Sequence, residues 1–321
     1  MDIRLLLQNA SQEVYEPMLL GRVTWETQRR GQPGKLTFTM LADSRMKVEE
    51  GNAVRLDVGI TPAFFGFIFE RSWGSDGQVK VTAYDQLRYL KNKSSYQYEN
   101  KTAGDVVRMV AEDFQLSVGE LEDTGYPIDL RREKDKTLWD VILNAIDITM
   151  TYTKELYILY DDAGKLTLRN IGNMKVDLMM DKDTAQDYDY KSSIDGDTYN
   201  QIRLYYDNKE TGKRDVYMTR DKETINKWGI LQYDETLQDA SNGQAAAEAY
   251  LSLYNQPSRS LSIKGAFGEI KVRAGCLVPV FLDIRDMQLK NYMLVEQAKH
   301  EWNEGIHTMD LVLRGAGINN A

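Results

Sequence analysis

The chain has 321 residues, a formal net charge of −9 and a sequence pI near 5.0. Its length is enough for two or three domains that each bury a core. The acidic balance argues against a surface that grips nucleic acid phosphates, and the 42% hydrophobic content argues against a disordered chain.

A single cysteine, Cys276, excludes an intrachain disulfide and is typical of a protein that folds in a reducing compartment. The apolar stretch near the N-terminus, residues 5–7, is too short for a signal peptide. The longest apolar run, residues 63–69, falls far short of a membrane span. We therefore expect a soluble protein that is made in the cytoplasm and does not insert into membranes.

Residues 1–90 alternate apolar and polar side chains in short runs that are separated by turns rich in Gly and Asp. This period of two predicts five or six short antiparallel strands, each with one buried face. The turn at residues 74–77 predicts a hairpin. Because closure removes exposed strand edges, we expect a small tube-like β-barrel over residues 1–90.

The period changes after residue 84. The motif Lys-Thr-x-x-Asp-Val opens two runs of helical spacing, at positions 101 and 136. Thr102 and Thr137 therefore predict capping boxes, with Asp in place of the preferred Glu or Gln. A hairpin follows across the turn at residues 161–164. We predict an α/β middle domain over residues 91–180.

Residues 181–321 begin with an acidic connection and then return to strand patterns. We predict two strands across a turn at residues 208–212, a short helix that ends at Gly229, and a second helix capped by Ser241. The chain as a whole is predicted to be α+β and mainly antiparallel β. Two tube-like domains, 1–90 and 181–321, would flank the α/β insert.

Residues 51–85 and 275–314 share one order: a Gly turn, a strand, a linker, a second strand, a tight turn and a third strand. The matching positions are an aspartate near the end of the first strand and a tryptophan before the tight turn: Asp57 with Asp283, and Trp73 with Trp302. Identity between the two segments is low, and their linkers differ in length. Duplication and the ordinary likeness of two antiparallel domains both stay open.

The acidic stretch invites comparison with a calcium loop. An EF-hand needs oxygen ligands at alternate positions and a Gly at the sharp turn. Asp181 and Asp183 are followed by Gln186 where that Gly belongs, and Asp195 with Asp197 lacks a third ligand. We therefore interpret these carboxylates as solvated loop residues.

His300 and His307 flank a tight turn and could face each other across the hairpin. Together with Glu301 or Glu304 they could bind zinc. The spacing is not that of an HExxH motif, and no third ligand is fixed by sequence. We assign no metal site.

Motifs for catalysis are missing: the sequence has no G-x-S-x-G elbow, P-loop or Rossmann glycine pattern in the required setting. Cys276 is predicted to be a packed thiol. Carboxylates are abundant enough to leave a glycosidase open, but sequence cannot place two of them at the required separation. Five tyrosines could form a sugar-stacking surface, although core packing is a commoner use: Tyr188, Tyr190, Tyr199, Tyr205 and Tyr206. We assign no catalytic residue, no cofactor-binding residue and no cofactor.

From about residue 20 to residue 315 the chain resembles the XkdQ/YqbQ-like tail proteins of contractile phages and defective prophage particles. The resemblance rests on seven segments: Trp25 with residues 29–31, and residues 64–66, 83–90, 136–140, 160–164, 198–202 and 228–233. The last of these reads Trp-Gly-Ile-Leu-Gln-Tyr, and the third reads Ala-Tyr-Asp-Gln-Leu-Arg-Tyr-Leu. None of the seven is a catalytic motif.

The resemblance implies a non-enzymatic baseplate hub, which joins the six-fold tail tube to the three-fold central spike. It also implies a homotrimer. Three chains with two tube-like domains each provide six such domains, which matches the six-fold symmetry of the tail tube. The implied partners are the tail tube protein, the central spike, other baseplate proteins and the tape measure protein, with no sequence-specific nucleic acid. Negative walls of the hub lumen would repel passing DNA. The alternatives are a tail-associated peptidoglycan hydrolase and a carbohydrate-binding module.

Overall fold

The computed structural model describes residues 2–181, 184, 186–196, 198–208, 211–237, 243–284 and 287–315. The chain is mainly antiparallel β with few helices, which confirms the predicted fold class. It divides into two compact units. The first unit consists of Met1–Tyr188 and Ser262–Leu313, and the second consists of Asp189–Leu261 and Arg314–Ala321. The predicted boundaries after residues 90 and 180, and the closure into barrels, stay predictions.

The first part of the chain forms seven strands: β1 (Ile3–Gln8), β2 (Val14–Tyr15), β3 (Val23–Gln28), β4 (Lys35–Leu41), β5 (Ala53–Val58), β6 (Thr61–Trp73) and β7 (Gln78–Tyr84). Their alternating patterns bury one face, as predicted. In β4, for example, Leu36, Phe38 and Met40 are buried while the residues between them are half-buried. These side chains share one core with those of β1, β5 and β7.

The middle part contains two 3-10 helices, Gln86–Lys91 and Ile171–Asn173. Its other elements are β8 (Lys93–Tyr98), α1 (Ala103–Asp113), β9 (Val118–Leu121), β10 (Arg131–Thr137), α2 (Leu138–Thr153), β11 (Tyr157–Asp161) and β12 (Leu166–Asn170). The buried faces of α1 and α2 pack with β11 and β12 in a second core.

Both predicted capping boxes are confirmed. The Asp105 backbone N–H donates to Thr102 Oγ1 at 3.2 Å, and the Thr102 N–H donates to the Asp105 carboxylate at 3.0 Å. Thr137 and Asp140 make the same reciprocal pair at 3.1 and 3.3 Å. Asp therefore reaches back to the cap residue although it is one methylene shorter than Glu.

The next elements are β13 (Asp187–Ser193), β14 (Gln201–Asn208), β15 (Lys213–Arg220), α3 (Lys222–Trp228), β16 (Gln232–Leu237) and α4 (Gly243–Tyr254). β14 pairs antiparallel with β15, across the predicted turn, and parallel with β16. Ile202, Leu204 and Ala247 form the core of the second unit. Gly229 follows α3 with a φ of +80°, in the positive range that glycine favours. The predicted cap Ser241 lies outside the described residues.

The last strands are β17 (Ser258–Phe267), β18 (Leu277–Ile284), β19 (Met287–Asn303) and β20 (Ile306–Gly315). They join the first strands in one sheet of order β13-β17-β20-β19-β3-β4-β7-β6-β5-β1-β2, with β18 also paired to β19. The first and last thirds of the chain therefore share a hydrogen-bonded sheet.

The two similar segments have the same strand order. β4-β7-β6-β5 in the first corresponds to β17-β20-β19-β18 in the second. The predicted difference in linker length is wrong, because Val58 pairs with Thr61 and Ile284 pairs with Met287, so each connection is two residues long. The sequence suggested longer linkers because the middle strands β6 and β19 begin with residues of mixed polarity.

Candidate functional site

The joint between the two similar segments is a ladder of β19 and β3. Residues Gln297–Trp302 pair antiparallel with Val23–Gln28, in six consecutive register positions. The first half of β19 pairs with β18 instead. One long strand thus pairs within its own segment and also with the other segment.

Ion pairs hold both ends of this joint. The Arg29 guanidinium donates two hydrogen bonds to the Glu296 carboxylate, at 2.8 and 3.0 Å, and its side chain is only 12% exposed. At the other end Arg22 donates to Glu301 at 2.9 Å. A bidentate, half-buried pair fixes geometry better than an exposed one. Arg29 belongs to a segment that carries the family resemblance, and its partner lies 267 residues away.

A groove of about 620 Å³ runs along the joint. Strands β3, β17, β19 and β20 contribute to its walls. Its charged lining residues carry both signs: Glu26, Lys35, Lys264, Lys299 and Asp310. Lys35 donates to Glu26 at 3.1 Å. The residues that line this groove include neither a histidine nor a cysteine.

The two histidines meet across the β19–β20 hairpin, as predicted. His300 Nε2 lies 2.7 Å from the Val272 carbonyl, and His300 Nδ1 lies 2.9 Å from His307 Nε2. Because a carbonyl only accepts, the proton sits on His300 Nε2, and His307 Nε2 must donate to His300 Nδ1. The lone pair of His300 Nδ1 is therefore occupied, and His307 Nε2 carries a proton, so neither nitrogen at this contact is available to a zinc ion.

Burial keeps both imidazoles neutral. It lowers the pKa of His300 to about 3 and that of His307 to about 4. Trp25 and Trp302 stack on the pair, with ring centroids 5.2 Å from His300 and 4.5 Å from His307. The cluster is part of the core beneath the joint. Glu301, one of the two carboxylates that we considered as zinc ligands, pairs with Lys299 at 2.8 Å instead.

A pair of buried carboxylates was not predicted from sequence. Asp85 accepts from the backbone N–H groups of Gly34 at 2.9 Å and Leu87 at 3.0 Å. Asp161 accepts from the N–H of Gly164 at 2.6 Å. Burial raises the pKa of Asp85 well above its usual range, with the nearby Asp161 as the second cause, and burial also raises the pKa of Asp161.

Gln86 connects these carboxylates to the middle part of the chain. Its Nε2 donates to Asp161 Oδ2 at 3.2 Å, and its Oε1 accepts from the Ser117 N–H at 2.7 Å. Arg273 donates to the Asp161 carbonyl at 2.8 Å, and its guanidinium lies 4.1 Å from the ring centre of Tyr160. The network therefore ties together three distant parts of the first unit.

A catalytic use of this pair is unfavourable. Asp85 and Asp161 are each only 4% exposed, so a polysaccharide cannot reach them. Two of the segments that carry the family resemblance, residues 83–90 and 160–164, meet here. Their side chains cap a 3-10 helix and close a turn, which is a structural role.

The remaining predicted sites are dispersed. Asp181 accepts from the Thr184 N–H at 3.0 Å within a tight turn, while Asp183 and Asp197 lie outside the described residues. Across the described part of the chain, no cluster of three His, Cys, Asp or Glu residues could hold a metal ion. Cys276 is buried, as predicted, and burial raises the pKa of its thiol to about 11.

Of the five tyrosines considered for sugar stacking, Tyr199 packs inside the second unit. Its ring contacts Tyr233 and Tyr254 at centroid distances of 5.2 and 5.6 Å, and Tyr250 completes the cluster. Sequence reasoning missed these three partners, which come from β16 and α4. Helical spacing of Tyr250 and Tyr254 was the available signal, since residues four apart share a helix face.

The comparisons with known proteins agree with this architecture. A YQBQ-like family model matches residues 23–314. The chain belongs to the YQBQ-like family. This confirms the resemblance drawn from sequence.

A family relative from Bacillus subtilis (strain 168), the phage-like element PBSX protein XkdQ, is 32% identical over 271 residues, which cover 82% of this chain and 81% of XkdQ. The chain also has the fold of the tail protein from Neisseria meningitidis MC58, with a TM-score of 0.73, 11% identity, and coverage of 99% and 98% of the two chains.

A third similar structure is the E. coli c3393 protein, described as a component of the type VI secretion system with structural similarity to the T4 tail proteins gp27 and gp5. Its TM-score is 0.53 and its identity 9%, over 97% of this chain and 76% of c3393. The YQBQ-like chain thus has a phage tail protein fold. Among its described residues, no helix has the length and apolar content to cross a bilayer.

Proposed function

We propose that this protein is the baseplate hub of a contractile phage tail or phage-tail-like particle, where it joins the six-fold tail tube to the three-fold central spike. The observation that supports this most is the internal repeat of strand order, with the β19–β3 ladder between the two copies. Three such chains in a ring would present six similar segments upward and three-fold symmetry downward.

The proposed role is structural, and the proposed location is the baseplate of the phage tail or phage-tail-like particle. The buried carboxylates of Asp85 and Asp161 and the buried thiol of Cys276 are closed to substrate, which agrees with a scaffold. The proposed partners are two further copies of the chain, the tail tube protein, the central spike, neighbouring baseplate proteins and the tape measure protein.

Electron microscopy of tail particles from a producing strain tests the role. Deletion of the gene should abolish assembled tubes, and a tagged copy should restore them and label the junction of tube and spike. Normal tubes in the deletion strain, or a label elsewhere on the particle, would contradict the hub assignment.

A further inference from the structure

The two middle strands of the repeat differ in one respect. Along β19 the first half pairs with β18 and the second half, Gln297–Trp302, pairs with β3. Along β6 the first half pairs with β5 up to Phe67, and Ile68 adds backbone bonds to residues 51 and 52. In the described part of the chain, residues 70–73 of β6 pair only with β7, and Phe69 lies at a register shift between the two strands.

The open edge of β6 is exposed where its counterpart is covered. Trp302, at the end of β19, is 3% exposed beside β3. Trp73, at the end of β6, is 61% exposed, and the Arg71 guanidinium packs on its ring at 4.9 Å from the ring centre. An unpaired edge next to a large exposed aromatic ring is a ready template for another strand.

The same chain contains a strand of the kind that is missing. β3, which covers β19, lies next to β4 in the sheet. The counterpart of β4 is β17, and the strand next to β17 is β13 (Asp187–Ser193). β13 is the terminal strand of the described sheet, so its outer edge is open. It has seven residues and is therefore long enough to match the six-residue strand β3, which pairs with β19.

We propose that β13 of one copy of this chain pairs antiparallel with the open edge of β6, residues 70–73, in a second copy. This inference rests on the proposed hub function and specifies the contact through which the copies would join. The pairing repeats between chains the ladder that β19 and β3 make within one chain. Because each copy offers one β6 edge and one β13 edge, the contact is head-to-tail, and three copies form a ring when neighbouring copies are related by one third of a turn.

The proposed pairing of β6 with β13 of another copy can be tested by disulfide cross-linking between introduced cysteines. Ser72 is exposed on β6, and we pair Ser72→Cys with Tyr188→Cys or, to allow a two-residue change of register, with Tyr190→Cys. The matched control replaces Ser72→Cys by Lys80→Cys. Lys80 is the β7 partner of Ser72, one strand further from the edge, which places it roughly 5 Å beyond and outside disulfide reach.

The full-length variants are oxidised and run on non-reducing gels, and their unoxidised masses are measured by light scattering. We expect one Ser72 pair to move most of the chain into a covalent species of three times 36.9 kDa, while the Lys80 pair and the single cysteines do not. Cys276 is buried and stays in place.

The outcomes separate this contact from the hub role. A trimer by light scattering without cross-links at either register would overturn the β6–β13 pairing and leave the hub role standing. A chain that is monomeric at 100 µM or about that concentration, with no cross-link, would also overturn the pairing. The hub role would then depend on the location of the tagged protein in the particle.

Discussion

Removal of the buried histidine pair should change how the stability of the first unit depends on pH. Both imidazoles are neutral in the folded chain, with pKa values lowered by burial to about 3 for His300 and about 4 for His307. In the unfolded chain each has a pKa near 6.5. Above pH 6.5 both states are neutral, so the pair contributes no pH dependence. As the pH falls below 6.5 the unfolded state binds protons first, and stability is lost until the folded pKa is reached.

The size of this loss of stability follows from the difference between the folded and unfolded pKa values of the two histidines. Between pH 7.5 and pH 5.5 each histidine should cost about 1.4 kcal/mol of unfolding free energy, or about 3 kcal/mol for the pair. We choose pH 5.5 as the lower limit because the sequence pI is near 5.0. The variant carries His300→Gln with His307→Gln. Glutamine offers a donor and an acceptor at each position, which can replace the bonds to the Val272 carbonyl and between the two side chains.

Urea unfolding followed by tryptophan fluorescence measures the effect, because Trp25 and Trp302 stack on the histidines. The wild-type chain should lose about 3 kcal/mol more than the double variant between the two pH values. Other titrating groups are common to both chains and cancel in this difference. Equal losses in the two chains would show that the imidazoles are not held neutral, and would refute the reasoning.

Three further predictions concern stability and activity. Thr102→Ala and Thr137→Ala should each cost about 1 kcal/mol, while Thr151→Ala, inside α2, should cost less, as urea midpoints would show; equal costs at all three would contradict the capping role. Gly34→Ala should lower the melting temperature by several degrees, because its Cβ would collide with the Asp85 carboxylate; an unchanged melting temperature would count against it. Zymograms on purified peptidoglycan should show no clearing, and a lytic zone abolished by one Asp or Glu change would overturn the structural role.

Local features of this fold were predictable because their causes are local. The capping boxes at Thr102 and Thr137 need only residues three positions apart, and their hydrogen bonds formed as expected. The facing of His300 and His307 followed from a tight turn between strands of alternating polarity. In each case the two partners are close in sequence, and the local secondary structure brings them into contact.

The joint and the buried carboxylates were not predictable in the same way. Arg29 and Glu296 are 267 residues apart, and Gln86 and Asp161 are 75 apart. No periodicity links such residues, since only the tertiary fold brings them together. The segments that carry the family resemblance did contain Arg29, Gln86 and Asp161, so the resemblance marked the right residues without giving their partners.

The buried network of Asp85, Asp161 and Arg273 also bears on the proposed assembly of copies into a ring. Asp85 and Asp161 accept hydrogen bonds from backbone N–H groups, and Arg273 packs against Tyr160. These contacts connect distant segments of the first unit. A sheet that is rigid at this point can present the β6 edge in one orientation, and preorganisation of that kind reduces the entropy lost on association. These residues would therefore favour the proposed ring, in which every contact uses the same geometry.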